Sequence, residues 1–156
     1  MATTIRAIRP GDKAPSISLI DQNGQLVRLD DYQGKKAVVL FFYPKAFTPG
    51  CTQESCQFRD QYEVFKDAGV EVIGISSDSP QQQAAFAKEH RLPYILLSDP
   101  GQQARKAFGV PKTLGLLPGR VTYVIDRNGI VQLAFNSQLK PEAHIQQALA
   151  TLKRLG

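Results

Sequence analysis

Short apolar runs alternate along this chain with stretches in which apolar positions recur every three or four residues. "AVVLFFY" (37–43) and "VEVIGISS" (70–77) are largely apolar runs of strand length, the pattern of strands covered on both faces in a parallel sheet. "YILLSD" (94–99) is a weaker third run of the same kind. Two segments instead alternate about a turn signal. "SISLIDQNGQLVRL" (16–29) turns at Asn23-Gly24 and "VTYVIDRNGIVQLAF" (121–135) at Asn128-Gly129, so each predicts a β-hairpin.

Helix starts are marked by a capping residue followed by proline. Thr48-Pro49, Ser79-Pro80 and Asp99-Pro100 each set a good N-cap before a proline suited to the first helical position. Lys140-Pro141 opens a fourth helix with a poorer cap. Its Ile145, Ala148, Leu149 and Leu152 form one apolar stripe for packing on a sheet. Gly69 and Gly109 follow two helical segments as stops. The predicted order is hairpin, strand, helix, strand, helix, strand, short helix, hairpin, helix. A parallel βαβ unit followed by an antiparallel hairpin and a last helix is an α/β, thioredoxin-like arrangement: a central mixed sheet flanked by helices, with an N-terminal hairpin. It is expected to form one domain over residues 1–156.

Composition narrows the partners. The chain has 156 residues, 42% hydrophobic, enough for its own core. No apolar run reaches the ~20 residues of a membrane span, and the start "MATTIRAIRPGDKAPS" holds no signal-peptide core. A cytoplasmic protein is expected, with a plastid address requiring a transit peptide removed before residue 1. Net charge is +5, but the basic residues stand singly or in pairs, as on a solvated surface. No nucleic-acid or membrane partner is expected.

Both cysteines, Cys51 and Cys56, lie in "FFYPKAFTPGCTQESCQF" (41–58). Two are too few for a disulfide scaffold, and a core of this size needs none. Zinc fits badly, because His90 and His144 lie at no short ligand spacing from the cysteines or each other and read as surface or helix-end residues. With Pro49 first in its helix, Cys51 is third. Free N–H groups and the helix dipole there favour a thiolate over an inert core thiol. Cys51, Ser55, Phe58, Tyr62 and Phe65 recur at helical spacing as the inward face. Cys56 falls off that stripe beside Arg59, Asp60 and Glu63. Five residues of α-helix separate Cα atoms by about 8.7 Å, and a disulfide needs roughly 4.4–6.8 Å. Either the two thiols never pair, or pairing unwinds the helix start.

"PKAFTPGCTQE" resembles the peroxiredoxin active-site pattern P-x-x-x-T-x-x-C-x-x-E, carried here by Pro44, Thr48, Cys51 and Glu54. A second cysteine five positions after the first is similar to the Q-type subgroup, also called bacterioferritin comigratory protein. "GRVTYVIDRNG" resembles the later family segment in which an active-site arginine opens a strand, which points to Arg120, and "SDPGQQARKAFGV" is similar to the family as well. The resemblance implies that Cys51 attacks peroxide and becomes a sulfenic acid, that Cys56 resolves it as a disulfide, and that thioredoxin or a related dithiol reopens the disulfide. It further implies that Arg120 stabilises thiolate and developing charge, Thr48 hydrogen-bonds sulfur and peroxide, Pro44 shields the pocket and Glu54 holds the arginine. It implies a monomer needing no metal or organic cofactor. Without the resemblance, Arg120 would read as a solvated strand-end residue, Thr48 as a cap alone and Glu54 as an early-helix acid.

Two other functions share parts of this pattern. A thiol–disulfide oxidoreductase would share the fold, yet such enzymes set their cysteines as C-x-x-C, and "CTQESC" is longer. A redox sensor or chaperone-like binding protein would react slowly with peroxide and hold a partner, and no long exposed apolar segment in the sequence speaks for it.

Overall fold

A computed structural model describes residues 7–110, 119–137 and 140–155. The two stronger apolar runs form β3 (Ala37–Phe42) and β4 (Val70–Ser76), and the weaker run forms β5 (Ile95–Ser98). The first hairpin is β1 (Ser18–Asp21) and β2 (Leu26–Arg28), and the second is β6 (Val121–Ile125) and β7 (Val131–Asn136). The seven strands make one mixed sheet in the order β2-β1-β5-β4-β3-β6-β7. β3 runs parallel to β4 and antiparallel to β6, with Phe42 opposite Val121.

Among the described residues five α-helices pack on the sheet: α1 (Pro49–Asp60), α2 (Tyr62–Asp67), α3 (Pro80–His90), α4 (Gln103–Phe108) and α5 (Pro141–Leu155). Side chains alternate across the strands, so β3 feeds two cores. Val39, Phe41 and Tyr43 pack with Phe58, Phe65, Phe86, Ile145 and Ala148 from α1, α2, α3 and α5. Val38, Leu40 and Phe42 pack on the opposite face with Ala104 and Phe108 of α4 and with Ile17, Leu19 and Leu29. Phe58 stacks on Phe41 with ring centroids 4.5 Å apart, anchoring α1 to the sheet. Each such fully buried aromatic contributes about 1.5–3 kcal/mol.

The helix starts follow the sequence in three cases and depart from it in one. α1 begins at Pro49 behind Thr48, Ser79 forms a full capping box with Gln82, and α5 begins at Pro141. Asp99-Pro100 does not open a helix. The chain first turns, Gln102 takes a left-handed conformation, and α4 begins at Gln103. Asp99 still serves the helix from a distance, its carboxylate accepting from the N–H groups of Ala104 and Arg105 at 3.0 and 3.2 Å. The stripe from Cys51 to Phe65 is also not one helix. Gln61, at φ −101° and ψ 4°, separates α1 from α2 while Phe58 and Phe65 keep facing the core. Gly69 and Gly109 end α2 and α4 at φ 75° and 61°.

Candidate active site

The chain leaves β3 at Phe42 and enters α1 at Pro49 through a loop held at several points. Tyr43 donates its backbone N–H to Ile75 at 3.0 Å, and Ala46 donates to the buried Asp78 carboxylate at 2.7 Å. Asp78 is itself fixed by the Ser76 hydroxyl at 2.6 Å. Pro44 is half-buried in this loop. Phe47 adopts φ 66° and is 52% exposed, its ring edge-on to Phe86.

Thr48 takes the N-cap position with extended backbone, and its carbonyl accepts the first helical bond from Thr52. The expected side-chain cap is absent. The hydroxyl donates instead to the Lys45 carbonyl at 2.7 Å, which fixes its rotamer and leaves its lone pairs turned from the helix N–H groups.

Cys51 is fully buried in the first turn of α1, and Glu54 follows one turn later, also fully buried. Spacing of three residues sets both on one helix face. Arg120 meets them from the other side. It immediately precedes β6 and shares a face with Thr122 and Val124, the face toward α1 and α5. Arg120 is 3% exposed, so it is no solvated strand-end residue. Its Nη2 donates to Cys51 Sγ at 3.2 Å and its Nη1 donates to Glu54 Oε1 at 2.7 Å. Burial works against the charge of Arg120, but Glu54 and the Cys51 sulfur more than offset it and raise its pKa. Burial pushes the Glu54 carboxyl up to about 8, against the pull of Arg120.

The sequence reading missed two parts of the site. His144, read as a surface or helix-end residue, is fully buried in the first turn of α5. Its Nε2 donates to the Ser137 carbonyl at 2.7 Å, so Nδ1 is free to accept from the Thr122 hydroxyl at 2.8 Å. That nitrogen lies 3.5 Å from Glu54 Oε2, an oxygen with no hydrogen-bond partner among the described residues. Burial lowers the His144 pKa to about 4, keeping the ring neutral at neutral pH. The second is Gly50. A Cβ there would stand 3.0 Å from Arg120 Nη2, so the glycine makes room for the guanidinium to reach the sulfur. A histidine four residues into an amphipathic helix, on the stripe of Ile145 and Ala148, was the available signal for His144. Nothing local marked Gly50.

Cys56 is half-buried, off the face that carries Cys51, and both cysteines are free thiols. The intervening helix is intact. Tyr94, buried at the start of β5, donates its hydroxyl to the Ser55 carbonyl at 2.6 Å, between the two cysteines. Arg59 Nη1 donates to the His90 carbonyl at 2.7 Å and pins the following turn to α3. Among the described residues no group of three or more His, Cys, Asp or Glu side chains is placed to hold a metal ion. The chemistry open to this cluster is nucleophilic attack by the Cys51 sulfur next to a fixed cation, in a site closed to bulk water.

Comparison with known proteins points the same way. Residues 10–134 match the AhpC/TSA family. The chloroplastic peroxiredoxin Q of Populus jackii is 51% identical over 154 residues, spanning 98% of this chain and 72% of the relative. That of Arabidopsis thaliana is 55% identical over 147 residues, spanning 94% and 68%. Peroxidoxin BcpB from Mycobacterium tuberculosis superposes with a TM-score of 0.88 at 40% identity, covering 96% of this chain and 99% of the other. Xanthomonas campestris bacterioferritin comigratory protein, known for alkyl peroxide reduction, has a TM-score of 0.81 at 29% identity, covering 88% and 90%.

Proposed function

The chain belongs to the AhpC/TSA family, in its peroxiredoxin Q branch, and is a thiol-dependent peroxidase; from that premise we propose that Cys51 is its peroxide-reactive thiol and Cys56 its resolving thiol. The observation that carries the assignment is the 3.2 Å hydrogen bond from Arg120 to the Cys51 sulfur inside a buried site. The Cys51 thiolate attacks the terminal oxygen of the peroxide as the O–O bond breaks, giving a Cys51 sulfenic acid and an alkoxide or hydroxide that takes up a proton to leave as alcohol or water. The Cys56 thiol then attacks the sulfenic sulfur, forming the disulfide and releasing water. A thioredoxin-type dithiol reduces that disulfide by exchange.

Arg120 lies against the Cys51 sulfur and stabilises negative charge on the departing oxygen. Glu54 orients Arg120 so that one Nη faces the sulfur. Thr48, its proton committed to Lys45, presents lone pairs that accept from peroxide O–H. Pro44 offers no N–H and shields the loop side of the pocket. The reaction takes hydrogen peroxide and organic hydroperoxides, alkyl peroxides being what the Xanthomonas relative reduces. The chain acts as one domain, consistent with a single sheet covered on both faces, and as a monomer, as the Q-type resemblance implies. We assign it to the cytoplasm, or to the plastid by analogy with its plant relatives.

The test is stopped-flow mixing of reduced protein with hydrogen peroxide and cumene hydroperoxide, followed by turnover with thioredoxin. Cys51→Ser should lose essentially all peroxide consumption, since a serine hydroxyl is a poor nucleophile toward peroxide. Sustained thioredoxin-dependent turnover in that variant would overturn the assignment.

A further inference from the structure

A second arginine lies buried behind the site. Arg105, in α4, is 7% exposed. Its Nη1 donates to the carbonyl of Gly119 and its Nη2 to the carbonyl of Tyr43, each at 2.9 Å. These two carbonyls belong to the residues directly before Arg120 and Pro44. A single planar fork therefore ties the loop leaving β3 to the segment entering β6, elements brought together from 62 and 14 residues away.

Arg105 is itself held in place. The Asp99 carboxylate accepts from its backbone N–H at 3.2 Å, and its guanidinium carbon lies 5.6 Å from the centre of the Phe42 ring. The charged and titratable groups facing it are Asp99, Tyr123, Cys51 and Arg120. Among the described residues no carboxylate lies within salt-bridge distance of the guanidinium, and both Nη groups bond to backbone carbonyls. Burying a cation without a paired anion is unfavourable, and an apolar side chain of similar volume would fill the space at lower cost. What an apolar side chain could not supply is a rigid link between two loops, with positive charge facing Cys51.

We propose that Arg105 is a positioning residue for peroxide reduction, setting the spacing between the Pro44 loop and Arg120 and so the pocket in which peroxide meets the Cys51 sulfur. The proposal rests on Cys51 being the peroxide-reactive thiol. Lysine at this position keeps the charge but cannot form the fork that reaches both carbonyls.

The test compares Arg105→Lys with its parent, both in a Cys56→Ser background so that one thiol is read. Each is checked by circular dichroism and thermal unfolding, then mixed with hydrogen peroxide and, separately, with iodoacetamide. Iodoacetamide must reach the same buried sulfur but needs no alignment of an O–O bond against it. We expect a folded Arg105→Lys whose peroxide rate falls about a hundredfold, the scale of a misplaced reacting group, while alkylation is little changed. We further expect added guanidinium ion to restore part of the peroxide rate of Arg105→Ala. An unchanged peroxide rate in Arg105→Lys would overturn the proposal. So would a parallel fall of both reactions, or failure of Arg105→Lys to fold, each of which would make Arg105 a structural tie. A Cys51→Ser control run alongside separates these outcomes from failure of the underlying assignment, since only that failure leaves peroxide consumption in the control.

Discussion

The Cβ position of Gly50 lies 3.0 Å from Nη2 of Arg120, the same nitrogen that donates to the Cys51 sulfur. The guanidinium cannot retreat freely, because its Nη1 is held by Glu54 at 2.7 Å. A methyl group at residue 50 would therefore press the cation a few tenths of an ångström from its place at the sulfur.

Gly50→Ala is expected to separate stability from activity. Alanine favours the helix over glycine by about 0.5–1 kcal/mol, so thermal stability should hold or rise. The peroxide rate should fall, because the guanidinium that bonds the sulfur must give by a few tenths of an ångström. Stopped-flow kinetics beside a thermal melt checks both, and an undiminished rate would show that Arg120 accommodates the methyl.

Arg120→Lys tests the fork itself. One ammonium cannot serve both Glu54 and Cys51 as the guanidinium does. The peroxide rate should fall by about 10²–10³, the loss typical of one charge-stabilising donor. Single-turnover kinetics in a Cys56→Ser background reads the loss. An unchanged rate would make Arg120 a spectator.

His144 predicts an acid limit to stability. Its folded pKa is depressed from 6.5 to about 4, so the folded state resists protonation where the unfolded chain accepts it. The associated stability is present above pH 6.5 and is lost as pH falls through 4, by about 3 kcal/mol in all. Glu54 works in the opposite sense. Its folded pKa is raised from 4.5 to about 8, so its contribution declines as pH rises across that interval. Denaturant unfolding at pH 7 and pH 4.5 should show a smaller acid loss in His144→Gln than in the parent. Equal losses would mean that the ring is protonated in the fold.

The two cysteines require α1 to open. Their Cα atoms are about 8.7 Å apart on an intact helix, roughly 2 Å beyond disulfide reach. Opening from Pro49 through Cys56 must break the hydrogen bond from Tyr94 to the Ser55 carbonyl, while Phe58 and Arg59 hold the turn beyond. Hydrogen exchange over residues 49–58 should rise on oxidation, and Tyr94→Phe should speed disulfide formation. Cys56→Ser should consume one equivalent of peroxide, stall, and then proceed to sulfinic acid. Equal protection in both redox states, with the disulfide confirmed by mass, would rule out the unwinding.

Local grammar carried much of the fold. The apolar runs, the Asn-Gly turns and the Ser79-Pro80 cap each act within a few residues, and each appears where the sequence places it. Asp99-Pro100 misled because an aspartate can cap a helix that starts several residues later. The site was legible where it follows a local rule, as with Cys51 in a first helical turn. Its partners lie far away in the chain: Glu54 meets Arg120 across 66 positions. His144 looked ordinary because its burial depends on Thr122 and Glu54, neither of which any window around residue 144 contains. Gly50 and Arg105 were opaque for the same reason, since each owes its place to a neighbour on another element.

Pairing of Phe42 with Val121 in the β3–β6 ladder has a consequence for how this chemistry can vary. Strand side chains change face with every residue, so slipping β6 by one position would turn Arg120 and Thr122 away from α1 and α5 together. Sulfur and histidine would lose their partners in one event, although no residue had changed. Lineages of this protein can thus remodel the surface around the pocket by small steps, but an insertion that shifts this ladder is a single jump to inactivity.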